Sequence, residues 1–242
     1  MGCAVDIVWY SQWSTRAGNG GTLGQSEGKA GGYARPRKGC FPVEKPIPGG
    51  EALVDVIRRR WSPRAFVPKA IAPDVLRRIF EASRWAPSAY NEQPWRFLVA
   101  RREDEKTFGT LLGCLVEANQ VWARHAAVLA VGVVKRVLAF NGKLNLWAEH
   151  DLGAAVAQLS LQAVAEGLFV HPMAGFSPSQ VREACGVPEG YDPLVALALG
   201  YGGDPDDLPE ELRPRERGLR ERQALEEMVF GAHWKAEAPF AG

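Results

Sequence analysis

The sequence predicts a mixed fold of the α+β or α/β class, and three features predict it. Segments with apolar residues at helical spacing interleave with short apolar runs too brief for helices. The run Ala126 to Val134 is apolar throughout, as expected of a strand covered on both faces. Leu152, Val156, Leu159, Ala163 and Val164 mark a long helix closing at Gly167, where glycine suits a C-terminal cap, and this is the candidate central helix.

Residues 1–50 hold 11 of the 26 glycines, in stretches such as GNGGTLG and GKAGGYA that interrupt any hydrophobic period. Such a segment buries too little apolar surface to offset the entropy of ordering it. A disordered extension over 1–50 is expected, followed by one main domain over 51–236. Its Arg35, Arg37 and Lys38 read as a solvated basic tail rather than a nucleic-acid contact.

From Glu51 to Arg60, Leu53, Val56 and Ile57 recur at helical spacing, and Pro63 stops the run just after the arginines arrive. Arg60 to Arg64 are thereby projected from a helix end into a loop. Pro73 suits a first helical position, with Val75, Leu76, Ile79, Phe80 and Ser83 forming an apolar face up to Trp85, and the helix breaks at Pro87. Arg96 to Arg101 reads as a short strand. Helical character returns from Glu103 to about His125, in two pieces around Gly113. After the central helix, Leu168 to Phe176 reads as strand and turn, and Ser177 to Cys185 as a short helix opened by a serine cap and Pro178. Leu194 to Tyr201 is a second buried strand, Gly202 to Pro214 an acidic, proline-rich surface loop, and Leu225 to Phe230 a short amphipathic stretch.

Composition narrows the function classes. The chain has 242 residues, with 29 Lys plus Arg against 28 Asp plus Glu, so a formal charge of +1 supplies no long-range field for nucleic acid or an anionic membrane. The longest apolar run is too short to span a bilayer. Cys3, Cys40, Cys114 and Cys185 lack metal-ligand spacing. No export signal is recognised, and Asp6 stands where a myristoylation motif wants Ser or Thr. A reducing cytoplasm is the expected compartment.

The chemistry concentrates between Arg60 and Trp95. Arg60, Ser62 and Arg64 offer guanidinium donors around a hydroxyl, a set suited to a phosphate monoester. Pro87, Ser88, Asn91 and Gln93 supply a turn former, a hydroxyl and two carboxamides able to read the edge of a heterocycle. The motifs RWSPRAF (Arg60 to Phe66) and APSAYNEQPW (Ala86 to Trp95) resemble those of the nitroreductase family of FMN-dependent oxidoreductases, and the likeness runs from about Leu53 to Trp234.

That resemblance implies an α+β three-layer sandwich, with a mixed, mostly antiparallel central sheet flanked by helices, assembled as an intertwined homodimer. It implies FMN as cofactor and NADH or NADPH as reductant, with a small aromatic electron acceptor such as a nitroaromatic or quinone. Arg60, Ser62 and Arg64, with Trp61 between them, would grip phosphate and nearby ring atoms, joined by Arg220 and Arg222 ahead of Leu225, Glu226 and Glu227. Asn119 would face the flavin pyrimidine, and main-chain groups of Ala174 and Gly175 its reactive nitrogen. Pro87, Ser88 and Ala89, with Asn91, would serve the partner's flavin. Trp122 stands where many members carry a lysine, and Trp61 where arginine or histidine is frequent, departures that bear on the acceptor more than on the cofactor. His171 reads as a packed histidine rather than a dedicated acid. Other reactions on this scaffold, namely thiazoline oxidation, dehalogenation or flavin breakdown, would need a lid, for which Phe140 to Trp147 is the candidate. A non-catalytic flavin-binding or interaction protein is the remaining alternative, and the neutral charge speaks against its nucleic-acid form.

Overall fold

The computed structural model describes residues 45–47 and 49–241. Most of the expected glycine-rich extension, including Cys3, Cys40 and the basic residues of the tail, lies outside the described residues.

Five strands form one sheet. Strand β3 (Val128–Lys135) pairs with β2 (Trp95–Arg101) on one side and β5 (Tyr191–Gly202) on the other. The far edge of β5 is shared by β4 (Phe169–Met173) and the two-residue β1 (Phe66–Val67). Every pairing among the described residues is antiparallel. The sheet is therefore more uniform than the mixed one expected, because the helices connect strands without a parallel crossover.

The alternation of side chains along β3 divides the core in two. Leu129, Val131 and Val133 face one cluster, with helices α3 (Glu105–Gly113), α4 (Glu117–Ala123) and α6 (Pro178–Cys185). Val128, Ala130 and Val134 face the other, with α2 (Pro73–Arg84) and α5 (Ala148–Ala165). This is the expected helix, sheet, helix layering. At Gly132 an added Cβ would lie 2.9 Å from Val195 Cγ1 and 3.1 Å from Leu152 Cδ1, so glycine lets α5 pack directly on the sheet.

Local signals explain the helix ends. Asp104 caps α3 by accepting from the Thr107 amide, and Ser177 caps α6 by accepting from the Gln180 amide. Gly167 has φ 77° and Gly186 φ 66°, the left-handed conformation that ends α5 and α6. The helix expected over residues 51–60 is reduced to α1 (Asp55–Arg59), which has no buried residue, and Leu53, Val54 and Ile57 are exposed. Its spacing signalled an apolar face that nothing among the described residues covers. The loop expected over residues 202–214 is partly structured, with 3₁₀ turns at Pro205–Asp207 and Glu210–Leu212 and a buried Leu208, and it leads into α7 (Arg213–Arg217).

Candidate functional site

Two arginine clusters far apart in sequence meet at the end of α1. The Arg220 guanidinium donates through Nη1 to the Arg60 carbonyl at 2.8 Å and through Nη2 to the Arg58 carbonyl at 2.6 Å and to the Lys45 carbonyl. Arg60 lies close enough to Arg222 for its pKa to fall further below the arginine range than burial alone would take it. For Arg220, burial is again the larger cause, and Arg60 and Arg222 add to it. These groups remain cationic. Among the described residues no carboxylate forms an ion pair with Arg60, Arg64, Arg220 or Arg222. Among the described residues the carboxylate whose charge reaches this cluster is Glu216, beside Arg64 and Lys45, so positive charge stays in excess and an anion is its natural complement.

The loop bearing Arg60 is held by a residue that the sequence reading missed. Glu216, 1% exposed, accepts through Oε1 from the Arg64 amide at 2.8 Å and the Ala65 amide at 3.0 Å. Its position in the charged run RPRERGLRER made it look like part of a solvated face. The site also contains buried donors with no partner among the described residues, Trp61 Nε1 and Arg220 Nε. Ser62 is half-buried, and Trp61 packs edge-on against Phe169.

From this loop the site continues to α4 and β4. Arg64 lies over the Trp122 ring at 5.9 Å, and Trp122 packs against His171 with ring centroids 4.6 Å apart. His171 Nδ1 is 2.8 Å from the Pro63 carbonyl, which can only accept, so Nδ1 carries the proton and Nε2 is left as the acceptor. Burial above all pushes the His171 pKa down to about 4, with the cations Arg64 and Arg215 adding to the shift against the Pro63 hydrogen bond. His171 is thus neutral and structural at neutral pH, latching β4 to the arginine loop. Trp122 itself is core, 1% exposed and stacked on Phe66. No cation takes the lysine's place at that position; Arg64 lies over the ring instead.

One turn before Trp122, Asn119 donates through Nδ2 to the Gly175 carbonyl at 3.0 Å, and the Val116 amide donates to the same oxygen at 3.1 Å. A Cβ at Gly175 would sit 2.5 Å from Asn119 Nδ2, so only glycine permits this contact. The amide groups of Ala174 and Gly175 donate to no other group among the described residues.

Pro87, Ser88, Ala89 and Asn91 lie elsewhere. The Ala89 amide donates to Asp151 Oδ2 at 3.1 Å, and the buried Ser88 hydroxyl accepts from the Gln93 amide at 3.0 Å. Asp151, fully buried in the first turn of α5, is a second residue that sequence reading missed, since acidic residues at helix starts are ordinary. Tyr90, Asn91 and Gln93 all have positive φ, 55°, 55° and 46°, a conformation that costs about 1–3 kcal/mol in such residues and persists where the surroundings fix it. This loop sits at the amino end of α5. The arginine loop sits at the other end, where Arg59 Nη2 donates to the Val164 carbonyl at 2.9 Å. Asp151 and Val164 are separated by roughly 20 Å of helix. The two loops therefore sit at opposite ends of α5.

Among the described residues no His, Cys, Asp or Glu cluster is arranged to hold a metal, and no helix is long and apolar enough to cross a membrane.

Comparison with known proteins agrees with this geometry. The family model described as Nitroreductase family matches residues 57–201. An uncharacterized 15.4 kDa protein in the ask 5′ region of Mycolicibacterium smegmatis is 38% identical over 149 residues, covering 57% of this chain and 97% of that protein. An NADH dehydrogenase of Thermus thermophilus is 29% identical over 202 residues, covering 72% of this chain and 98% of that protein. The crystal structure of an oxidoreductase containing FMN superposes with a TM-score of 0.71 at 32% identity, covering 77% of this chain and 96% of that one. With this sheet and a family match over more than half its length, the chain belongs to the nitroreductase family.

Proposed function

We propose that the protein is an FMN-dependent oxidoreductase that passes electrons from NAD(P)H to flat acceptors of the nitroaromatic or quinone class. The observation that carries this reading is the convergence of Arg60, Arg220 and Arg222, with no carboxylate ion pair among the described residues. Three cations more than offset the two negative charges of a phosphate dianion, and the buried Trp61 and Arg220 N–H groups offer donors toward it. Bound FMN supplies the hydride and electron chemistry itself. The residues of this chain grip the phosphate through Arg60, Arg220 and Arg222, set Asn119 and the free amides of Ala174 and Gly175 toward the ring, and leave proton supply to water, since His171 is committed to Pro63.

A homodimer completes the site. The separation of the two loops along α5 supports contribution of Pro87, Ser88, Ala89 and Asn91 to the partner's cofactor. Exposed Leu53, Val54, Ile57, Trp85, Phe140, Leu146 and Trp147 supply apolar surface that such an assembly would cover. Free thiols at Cys114 and Cys185 fit a reducing cytoplasm.

Purification decides the cofactor: a yellow protein whose thermal midpoint rises with added FMN, and which oxidises NADH or NADPH when a quinone or nitroaromatic is present, is the expected result. A colourless chain indifferent to FMN overturns the reading.

A further inference from the structure

The arginine cluster includes a member from outside the matched family range. Lys45 opens the described chain, ahead of residues 57–201, in a segment that sequence composition assigns to a disordered extension. Its ammonium lies 4.4 Å above the Trp61 ring and donates to the Arg215 carbonyl at 3.4 Å, while its own carbonyl accepts from Arg220. The segment thus crosses between the arginine loop and the carboxy-terminal arm, tied to both. Beneath it lie two buried, unpartnered donors, Trp61 Nε1 and Arg220 Nε, of which Trp61 is 6% exposed.

We propose that residues 45–47 form a strap over the phosphate end of the cofactor site and that Lys45 is a phosphate-binding residue supplied by the amino-terminal segment. This rests on the FMN reading above and deepens it. Burial is the main cause that lowers the Lys45 pKa, Glu216 opposes it, and Arg220 and Arg64 add smaller effects in the same direction as burial, so two of its three charged neighbours are cations. Glu216 accepts two backbone amides through Oε1, while its buried Oε2 has no partner among the described residues. A phosphate entering here meets Lys45, Arg60, Arg220 and Arg222 from four points of the chain, and the face of Trp61 keeps the flexible lysine stem aimed inward.

The test measures FMN and riboflavin binding to full-length apoprotein by quenching of flavin fluorescence, for the wild type and for Lys45→Met, which keeps a long apolar stem on Trp61. The expected result is that Lys45→Met weakens FMN about tenfold, the loss of one charge-assisted contact. Riboflavin, which has no phosphate, should bind both proteins equally, and the FMN difference should shrink as salt is raised. Equal FMN affinity in the two proteins, tighter FMN binding by the variant, or parallel weakening of FMN and riboflavin overturns the strap while leaving the flavin reading intact. A wild-type chain that takes up neither flavin overturns both.

Discussion

Burial keeps His171 neutral across the range where a free imidazole titrates, and that fixes a pH dependence. The unfolded chain takes up this proton near 6.5 and the folded chain only near 4. The folded pKa is depressed, so the stability tied to this group is fully present above pH 6.5 and is lost as pH falls toward 4, by about 3 kcal/mol at most. Denaturant midpoints followed from pH 7 to 4 should fall for the wild type and fall less for His171→Gln; parallel curves would contradict the assignment. Gly175→Ala tests the neighbouring contact. Its Cβ would drive into Asn119 Nδ2 and Val116 Cγ2, at 2.5 and 2.9 Å, which should cost about 1–3 kcal/mol and weaken FMN binding. Unchanged stability and binding would show that Asn119 is free to move aside. Arg60 and Arg64 were legible in the sequence because they stand in a motif whose residue types name a chemistry, whereas Arg220, Arg222, Asn119 and Gly175 entered only through the family resemblance. Neither route reached Glu216, Asp151 or Lys45. Glu216 and Asp151 act on backbone amides, Lys45 on an aromatic ring and main-chain carbonyls, and each sits in a stretch whose composition signals only solvent.

At the level of elements, α5 is the spacer of the molecule. Its amino end holds the 87–91 loop through Asp151, its carboxy end receives Arg59, and Gly132 lets its middle lie flat on the sheet. Asp151→Ala leaves the buried Ala89 amide without an acceptor, a loss of about 1–3 kcal/mol, and frees a loop already strained at three residues. Limited proteolysis should then cut near Tyr90 faster than in the wild type, and an unchanged cleavage pattern would argue that the loop is held by other contacts. The main helices and strands were readable in advance because their apolar periods are long and their caps conventional, as at Pro73, Ser177 and Gly167. The carboxy-terminal turns were not, since Leu208 and Glu216 are isolated buried residues in a polar segment and periodicity needs several. The exposed apolar residues of α1 mark the complementary failure, a periodic face left uncovered among the described residues.

At the scale of the whole molecule, the proposed division of the site between two ends of α5 makes a specific demand on assembly. Sedimentation should give a dimer, and exchange between two inactive variants should restore function. An Arg60→Ala chain lacks the phosphate half-site and an Asn91→Ala chain the ring-edge half. Random pairing of equal amounts leaves about a quarter of the sites intact, and no recovery would place both halves in one subunit's site. The Arg220 clasp also joins distant parts of the chain. It fastens the arm after α7 onto carbonyls of Lys45, Arg58 and Arg60, at least 160 residues earlier. Variants cut short before Gly218 lose this clasp and should hold FMN less tightly however well their sheet folds.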